Sequence, residues 1–134
     1  MIVFIDANIP MIRRGREHAH REPSLQFLEA AQQGEIEACT STEVLQEILY
    51  RYWALRRIDV AREVYDLFVS ICPIVFEITL SDTNRAVDLM ERHELSARDA
   101  IHAAVMLNRG IELIATFDAD FERVPGIRRV TLQS

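Results

Sequence analysis

Residues 1–6, with the sequence MIVFID, combine an apolar run rich in β-branched side chains with a carboxylate directly after it. Such a run is typical of a strand that is buried on both faces in a parallel sheet. Residues 113–118, LIATFD, repeat this pattern. Because ligands of open parallel sheets bind beyond the carboxyl ends of the strands, we expect Asp6 and Asp118 to share one site. Taken singly, Asp6 is equally compatible with a helix cap, and Asp118 and Asp120 with turn residues.

Short apolar runs alternate with helical patterns along the rest of the chain. Strands are predicted at residues 2–5, 36–40, 75–80 and 112–117, with a fifth at 127–132. A short helix is predicted after Asn8 and Pro10, followed by a loop over residues 13–23. Longer helices are predicted beyond it: one capped by Ser24, one that begins near Thr42, one over residues 58–70, one capped by Ser81 and one capped by Ser96. This alternation predicts an α/β fold, a three-layer α/β/α sandwich around a mostly parallel sheet of four to five strands, in a single domain over residues 1–134.

The composition limits the compartment. A chain of 134 residues that is 49% hydrophobic is long enough for one substantial core. The first apolar run is too short for a membrane span or a signal-peptide core, so we expect a cytoplasmic protein. Cys39 and Cys72 lie in apolar surroundings without CxxC spacing, which predicts buried, reduced thiols.

The charge balance limits the function. A net charge of -6 opposes non-specific binding to nucleic acid unless positive charge is concentrated locally. All 15 basic residues are arginine. The absence of lysine excludes classes that require a catalytic or phosphate-binding lysine, among them response-regulator receivers, haloacid-dehalogenase-type phosphatases and P-loop enzymes.

Asp99 lies at the start of a helix that is apolar on nearly every side. Ser96 and Asp99 match a capping box, which is a sufficient structural explanation for the acid. The amino end of so apolar a helix must nevertheless lie close to the sheet, where a carboxylate is costly without a cation or hydrogen bonds. His102, three residues later on the same face, is interpreted as a core histidine with satisfied hydrogen bonds.

Glu43 and Glu47 share one face of the helix that follows the second strand. Neither lies on its apolar stripe, so periodicity predicts that both are solvated. Glu43 also matches a capping box with Thr40. The pattern alone therefore does not select Glu47 as a functional residue.

Four ordered motifs of the chain resemble those of the PIN-domain family, and within it the VapC-type toxins. These are VFIDANI with Asp6, STEVLQEILYRY with Glu47, LSARDAIHAAVM with Asp99, and ATFDADF with Asp118 and Asp120. The resemblance implies strand order 3-2-1-4-5 and an acidic pocket that binds Mg²⁺ or Mn²⁺. It also implies endoribonuclease activity, homodimers, and neutralisation by a cognate antitoxin.

These residue types suit metal-dependent hydrolysis of a phosphodiester. Mg²⁺ prefers oxygen ligands and is typically held by one or two carboxylates together with substrate phosphates. Asp6 and Asp99 are the expected direct ligands, with Glu47 and Asp118 as further ligands, water-orienting groups or general bases. Asp120 and Thr116 are secondary candidates, the latter through its hydroxyl. Attack by a metal-activated water would leave 5'-phosphate and 3'-hydroxyl ends.

Two further segments are candidates for binding RNA and a partner. Arg13, Arg14 and Arg16 lie close in sequence to Asp6, together with His18, His20 and Arg21, and are candidates for RNA contacts, although a solvated loop explains them equally. The two histidines lack further ligands at zinc-like spacing. Tyr50 and Trp53 belong to a helical pair with more large apolar side chains than one buried stripe uses, which predicts an interface with an antitoxin or a second copy.

Two other functions remain open at this stage. One is a free-standing RNA-processing nuclease without an antitoxin, and the other is a PIN-like binding module without catalysis. Loss of one of the four acids would favour the binding module, and all four are present.

Overall fold

A computed structural model describes residues 1–11 and 18–132, without the side chains of residues 18–20. The strands are β1 (Ile2–Ile5), β2 (Glu37–Ser41), β3 (Ile74–Phe76), β4 (Leu113–Ala115) and β5 (Arg128–Arg129). The helices are α1 (His18–Gln32), α2 (Thr42–Ala54), α3 (Ile58–Ile71), α4 (Leu80–His93) and α5 (Ala97–Asn108), with a short 3-10 helix at Ala119–Arg123.

The sheet has the order β3-β2-β1-β4-β5, and its recorded strand pairs are all parallel. Strand β1 lies at the centre, where Phe4 pairs with Cys39 of β2 and with Ile114 of β4. Val3, Phe4 and Ile5 are fully buried although successive side chains point to opposite faces, so both faces of the sheet are covered. The predicted α/β sandwich with a parallel sheet is confirmed, as is the strand order that the resemblance implied.

Helix α5 lies in the core, as its apolar sequence predicts. Ala100, Ala103, Ala104, Val105 and Met106 are buried, and most of the helix's contacts are with α4, with further contacts to α2. The small side chains allow close approach of these neighbours. The amino end of α5 therefore lies next to the sheet edge where β1 and β4 end.

Helix α1 begins earlier than predicted. Its start at His18 places Pro23 and Ser24 inside the helix, so Ser24 is not the N-cap and the predicted loop over 13–23 is wrong from residue 18 onward. Pro23 is the sixth residue of the helix, in its second turn, where its missing N–H removes one intrahelical hydrogen bond. Ser24 is buried within the fold. The short helix predicted after Asn8 is also wrong, since residues 7–10 form turns.

Two helix caps differ from the predicted ones by one or two residues. In α2, Ser41 Oγ accepts from the Val44 amide at 3.4 Å, while Thr40 donates to the Ile5 carbonyl, so the predicted box of Thr40 and Glu43 is wrong. In α4, Thr79 replaces Ser81 as the cap and forms a reciprocal capping box with Asp82. In both cases several hydroxyls lie near the start of the helix, so the helix sequence alone does not identify the cap. Strand pairing makes β3, β4 and β5 shorter than predicted.

An ion pair with a buried carboxylate stabilises the C-terminal end of α5. Arg109 Nη1 donates to Asp82 Oδ1 at 2.8 Å and Nη2 to Oδ2 at 3.0 Å, and Asn108 donates to the same carboxylate at 2.8 Å. The guanidinium also lies 4.9 Å from the centre of the Phe76 ring. These contacts join the start of α4, the end of α5 and strand β3.

Cys39 and Cys72 are free and buried, which confirms that prediction. Burial raises the pKa of each thiol to about 12, so both are protonated at neutral pH. Among the described residues, no helix has the length and apolar character that crossing a membrane requires.

Candidate active site

Four acids from four separate segments line one pocket at the carboxyl edge of the sheet. Asp6 follows β1, Glu47 lies on α2, Asp99 lies in the first turn of α5, and Asp118 follows β4. The pocket has a volume of about 280 Å³. Its lining consists of Asp6, Asn8, Met11, Glu47, Tyr50, Arg51, Arg98, Asp99 and Asp118. The pocket therefore contains all four acids that were predicted as catalytic.

Asp6 is buried and held from two sides. Its Oδ1 accepts from the Ala7 amide and its Oδ2 from the Thr116 hydroxyl, each at 2.7 Å. The Thr116 hydroxyl in turn accepts from Asn8 Nδ2 at 3.1 Å and from the Asp118 amide at 3.1 Å. Burial raises the pKa of Asp6, while nearby His102 and the hydrogen bond from Thr116 oppose that rise. Thr116 thus orders Asp6, and its suggested role in placing a water stays a prediction.

Glu47 is buried, with 8% of its surface exposed, so the prediction of a solvated side chain is wrong. Its Oε1 lies 2.7 Å from His102 Nε2 and 3.5 Å from Arg98 Nε. Both partners belong to α5, which packs against α2. The face of α2 that carries Glu47 is polar because it meets polar groups of α5, which the periodicity of α2 alone does not reveal.

His102 is fully buried beneath the pocket. Its Nε2 lies 3.6 Å from Asp6 Oδ1 in addition to its contact with Glu47. Among the described residues, Nδ1 has no hydrogen-bond partner, so the prediction of a fully satisfied core histidine is wrong. Burial alone would lower the pKa of His102, but Glu47 and Asp6 raise it above its ordinary value. The signal in the sequence was the three-residue spacing from Asp99, which places both side chains on one face of α5.

Asp99 and Asp118 form a second group of acids with Asp120. Ser96 caps α5 by accepting from the Asp99 amide at 3.3 Å, so Asp99 lies at the cap and in the pocket at once. Asp118 Oδ1 similarly accepts from the Asp120 amide at 2.9 Å. Burial, a hydrogen bond with Asp118 and the charges of Asp118 and Asp6 raise the pKa of Asp99 to about 7. Asp99 and Asp118 thus take part in local capping contacts and also line the pocket, so a structural role does not exclude a functional one.

The donor atoms suit a hard divalent cation. Oxygens of Asp99, Asp118 and Asp120 lie within 4.8 Å of one another, as do ligand atoms of Asp6, Glu47 and His102. Carboxylate oxygens predominate, and Mg²⁺ and Mn²⁺ prefer such ligands. Burial raises the pKa values of Asp6 and Asp99, and neighbouring carboxylates raise them further, so a bound cation would offset both effects.

Comparison with known proteins places this site in a family. The model of the PIN domain matches residues 3–127. The chain belongs to the PIN-domain family. It is 37% identical over 130 residues to the protein named ribonuclease VapC13 of Mycobacterium tuberculosis, covering 96% of this chain and 99% of the relative. It is 33% identical over 118 residues to ribonuclease VapC23 of the same species, covering 87% and 93% of the two chains.

Solved structures show the same fold at lower sequence identity. VapC20 of Mycobacterium tuberculosis, described as a toxin that cleaves the sarcin-ricin loop, matches this PIN domain with a TM-score of 0.74 at 22% identity over 91% of this chain and 93% of that one. A chain of VapBC2 from Rickettsia felis, solved on a DNA fragment from its promoter, matches with a TM-score of 0.73 at 19% identity over 97% and 98%. At sequence identities of 19% and 22%, these matches support the fold of this chain alone.

The predicted RNA-contact residues of this PIN domain cannot be placed. Arg13, Arg14 and Arg16 lie outside the described residues, as do the side chains of His18 and His20. Two other arginines, Arg51 and Arg98, line the acidic pocket itself. Neither arginine was predicted as a site residue, although Arg51 lies one helical turn after Glu47 and Arg98 directly precedes Asp99.

The predicted interface residues of the PIN domain are exposed. Trp53 has 63% and Tyr50 54% of its surface accessible, and their rings lie 5.9 Å apart. Trp53 borders a cleft of about 540 Å³ between α2 and α3. The cleft is lined by Leu49, Trp53, Ile58, Ala61, Arg62 and Tyr65. An exposed apolar cleft of this kind is typical of surfaces that bind another protein.

Proposed function

We propose that this single PIN domain is a magnesium- or manganese-dependent endoribonuclease and the toxin of a toxin-antitoxin pair. The observation that supports this most directly is the convergence of Asp6, Glu47, Asp99 and Asp118 in one pocket. Relatives that match over nearly the whole chain are named VapC ribonucleases. The cytoplasm, where RNA is abundant, is the expected site of action.

Each acid has a role that follows from its surroundings. Asp6 and Asp99 would hold the metal, with Asp118 as a third ligand, since Asp6 is fixed by two short hydrogen bonds and Asp99 lies beside Asp118. A bound Mg²⁺ would lower the pKa of a coordinated water and stabilise the charge that develops on the phosphate. Glu47, held away from bulk solvent, would be a further ligand, orient that water or accept its proton. Asp120 already pairs with Arg123 at 3.2 Å, so it is only a secondary candidate for a metal ligand.

Arg51 and Arg98 supply positive charge where the RNA backbone must approach. The whole protein is acidic, and phosphate contacts require local cations. The Arg98 side chain is about half exposed, so it can reach solvent beyond Glu47. We expect these two arginines to contact phosphates on either side of the cleaved bond.

A cognate antitoxin would bind the cleft between α2 and α3 with Trp53 as an anchor, and Tyr50, whose ring lies 5.9 Å from that of Trp53, would extend the contact beside the cleft. Aromatic side chains are frequent hot spots, and a groove between helices accommodates a helical peptide. Structural neighbours of the chain include a toxin-antitoxin complex from Klebsiella pneumoniae. A homodimer is also expected, and it would use exposed apolar surface in the same way.

The proposed activity is tested with purified protein and total RNA in millimolar Mg²⁺, in Mn²⁺ and in EDTA, followed by mapping of the cut ends. We expect cleavage with either metal, none in EDTA, and 5'-phosphate products. Asp6→Asn and Asp99→Asn preserve shape while they remove charge, and both should abolish cleavage in chains that remain folded by circular dichroism. Equal cleavage rates with EDTA and with Mg²⁺ would contradict the proposal.

A further inference from the structure

We propose that His102 is a positioning residue of the site: its Nε2–H holds Oε1 of Glu47 beside Asp6, and the imidazole does not itself bind the metal. The inference rests on the proposed function, because it assigns a task within the same site. It assigns that task to a residue that the pattern of four acids does not include.

The first support is the cost of burying Glu47. A carboxylate that is 8% exposed is strongly unfavourable unless hydrogen bonds or charges compensate it. The hydrogen bond from His102 is short at 2.7 Å, and it is made by a fully buried side chain. The other contact, from Arg98, is longer at 3.5 Å and comes from a half-exposed side chain, where solvent screens it. His102 therefore provides the principal buried partner of Glu47.

The second support is the geometry of the imidazole. The same Nε2 that contacts Glu47 lies 3.6 Å from Oδ1 of Asp6, so one nitrogen faces a carboxylate of α2 and a carboxylate that follows β1. The ring lies between Phe4 and Phe121, with centroids 5.7 and 6.4 Å away. These packed rings fix the plane of the imidazole and hence the direction of the Nε2–H bond.

The third support is the atom that the ring leaves without a partner. Among the described residues, Nδ1 of His102 is buried and makes no hydrogen bond, which costs free energy that an apolar side chain of similar volume would avoid. Packing alone would thus be served better by leucine or methionine. The contact at Nε2 is what distinguishes histidine at this position.

Although Nε2 of His102 lies within 4.8 Å of ligand oxygens of Asp6 and Glu47, it is already bonded to Glu47 and is not placed to bind a metal itself. His102 is fully buried and is absent from the described residues that line the pocket, whereas Glu47 and Asp6 do line it. A cation that also binds a substrate phosphate must be reached from the pocket. Mg²⁺ moreover prefers oxygen to imidazole nitrogen. The histidine accordingly acts through Glu47.

Two amides that differ only in length provide a matched pair of variants. His102→Gln places an N–H donor near the former position of Nε2, whereas the shorter side chain of His102→Asn reaches only the former position of Nδ1. The measurements are the Kd for Mn²⁺ by electron paramagnetic resonance and calorimetry, and kcat and KM on RNA. Loss of a partner that orients a ligand typically weakens metal binding by about 10- to 100-fold, so we expect that loss for Asn and near-parental affinity for Gln.

The kinetic and thermodynamic readouts separate positioning from general stability. We expect Asn to lower kcat with KM for RNA nearly unchanged, since the phosphate-contacting arginines are untouched. In a Glu47→Gln background, His102→Asn should have little further effect on Mn²⁺ affinity, because the group on which it acts is already altered. Additive losses in the double variant would overturn the inference.

Spectroscopy of the parent protein tests the inference even if a variant fails to fold. Electron spin-echo spectra of the Mn²⁺-loaded parent should show no directly coordinated nitrogen, and ¹⁵N spectra of the Mg²⁺-loaded form should show His102 protonated at Nε2. A coordinated imidazole, or a proton on Nδ1 alone, would refute the proposal. If the parent binds Mn²⁺ with this pattern but cuts no RNA, the proposed nuclease function fails while the role of His102 stands. If the parent cuts RNA but the His102→Gln and His102→Asn variants bind Mn²⁺ with the same affinity, the role proposed for His102 is wrong.

Discussion

Carboxylate oxygens of Asp99 and Asp118 lie within 4.8 Å of each other, although one residue lies at the start of α5 and the other follows β4. Burial raises the pKa of Asp99, and the neighbouring Asp118 raises it further, to about 7. In the metal-free protein a proton on Asp99 therefore relieves the repulsion that a bound cation would balance. Protons and metal ions are therefore expected to compete.

We predict that metal affinity rises with pH up to about 7 and then levels off. Binding must displace the proton of Asp99, whose pKa is about 7. Displacement of one proton corresponds to about a tenfold gain in apparent affinity per pH unit below that value. Calorimetric titration of Mn²⁺ between pH 5.5 and 8.5 measures this slope. A constant affinity across the range would contradict the raised pKa of Asp99.

The same raised pKa predicts how the stability of the metal-free protein depends on pH. The folded state retains a proton on Asp99 that the unfolded chain releases near its ordinary pKa of 3.8. Its stabilising contribution is therefore complete below that pH and is lost as pH rises to about 7. Asp99→Asn should flatten this part of the profile of unfolding free energy against pH. An unchanged profile in that variant would assign the dependence to other groups.

Asp118→Asn should raise the melting temperature of the metal-free protein at pH 8 by a few degrees. It removes a repulsion of about 1 kcal/mol or more among crowded carboxylates. The amide oxygen of Asn still caps the Asp120 amide, which Asp118 Oδ1 contacts at 2.9 Å, so the local turn is preserved. The stabilisation that millimolar Mg²⁺ gives the parent should shrink in this variant.

Glu112→Gln is the matched control for that experiment. It removes the same charge from an exposed side chain that lies 3.8 Å from Arg128. We expect little change in either the melting temperature or the effect of Mg²⁺. If Asp118→Asn behaves like this control, the acids do not form a strained metal site.

Trp53→Ala should weaken antitoxin binding by roughly tenfold or more if the α2–α3 cleft is the interface, because exposed tryptophans are frequent hot spots. Affinity for the protein encoded beside the gene and the oligomeric state by sedimentation are the measurements. Leu80→Ala, at an exposed leucine on α4 outside the cleft, is the control and should change neither. Unchanged antitoxin affinity and unchanged oligomeric state in Trp53→Ala would rule out this interface.

Asp82→Asn should destabilise the fold by about 3 kcal/mol, because it leaves Arg109 without its buried counter-charge. Burial alone would raise the pKa of Asp82, but hydrogen bonds from Arg109, Thr79 and Asn108 hold it well below its ordinary value. Its contribution is thus present at neutral pH and is lost on acidification below about 4. Urea unfolding at pH 7 and pH 3 measures both effects.

Asp59→Asn provides the surface comparison, since Asp59 pairs with Arg57 and both side chains are largely exposed. Solvent screens such a pair, and we expect no measurable loss of stability. Equal losses for Asp59→Asn and Asp82→Asn would show that burial does not determine the strength of these ion pairs.

The sheet and α5 were predictable because their signals are local. Residues 2–5 form a run that is short and rich in β-branched side chains, which is typical of a buried strand, and residues 103–107 are apolar over a full helical turn. The caps of α2 and α4 were missed because Thr40, Ser41, Thr79 and Ser81 all carry suitable hydroxyls. In α2, for example, Thr40 donates to the carbonyl of Ile5, 35 residues earlier, and leaves the cap to Ser41, a contact that the helix sequence does not encode.

A residue of the site could be predicted from the sequence when its surroundings come from neighbouring residues in the chain. Asp6 and Asp118 follow strands, and Asp99 begins a buried helix, so position alone indicates them. Glu47 was selected by resemblance only, because its burial depends on a contact with His102, 55 residues further along the chain. The partners of His102 escaped prediction for the same reason.

The hydrogen bond from Thr116 to Asp6 spans 110 residues and links the carboxyl ends of β4 and β1. On the ribosome, Asp6, Glu47 and Asp99 are translated before Thr116 and Asp118, so a nascent chain carries an incomplete set of ligands until β4 has left the exit tunnel. If the acids cut RNA as proposed, we expect the growing polypeptide to stay inactive until β4 has paired with β1. The order of translation would then delay the activity until synthesis is nearly finished.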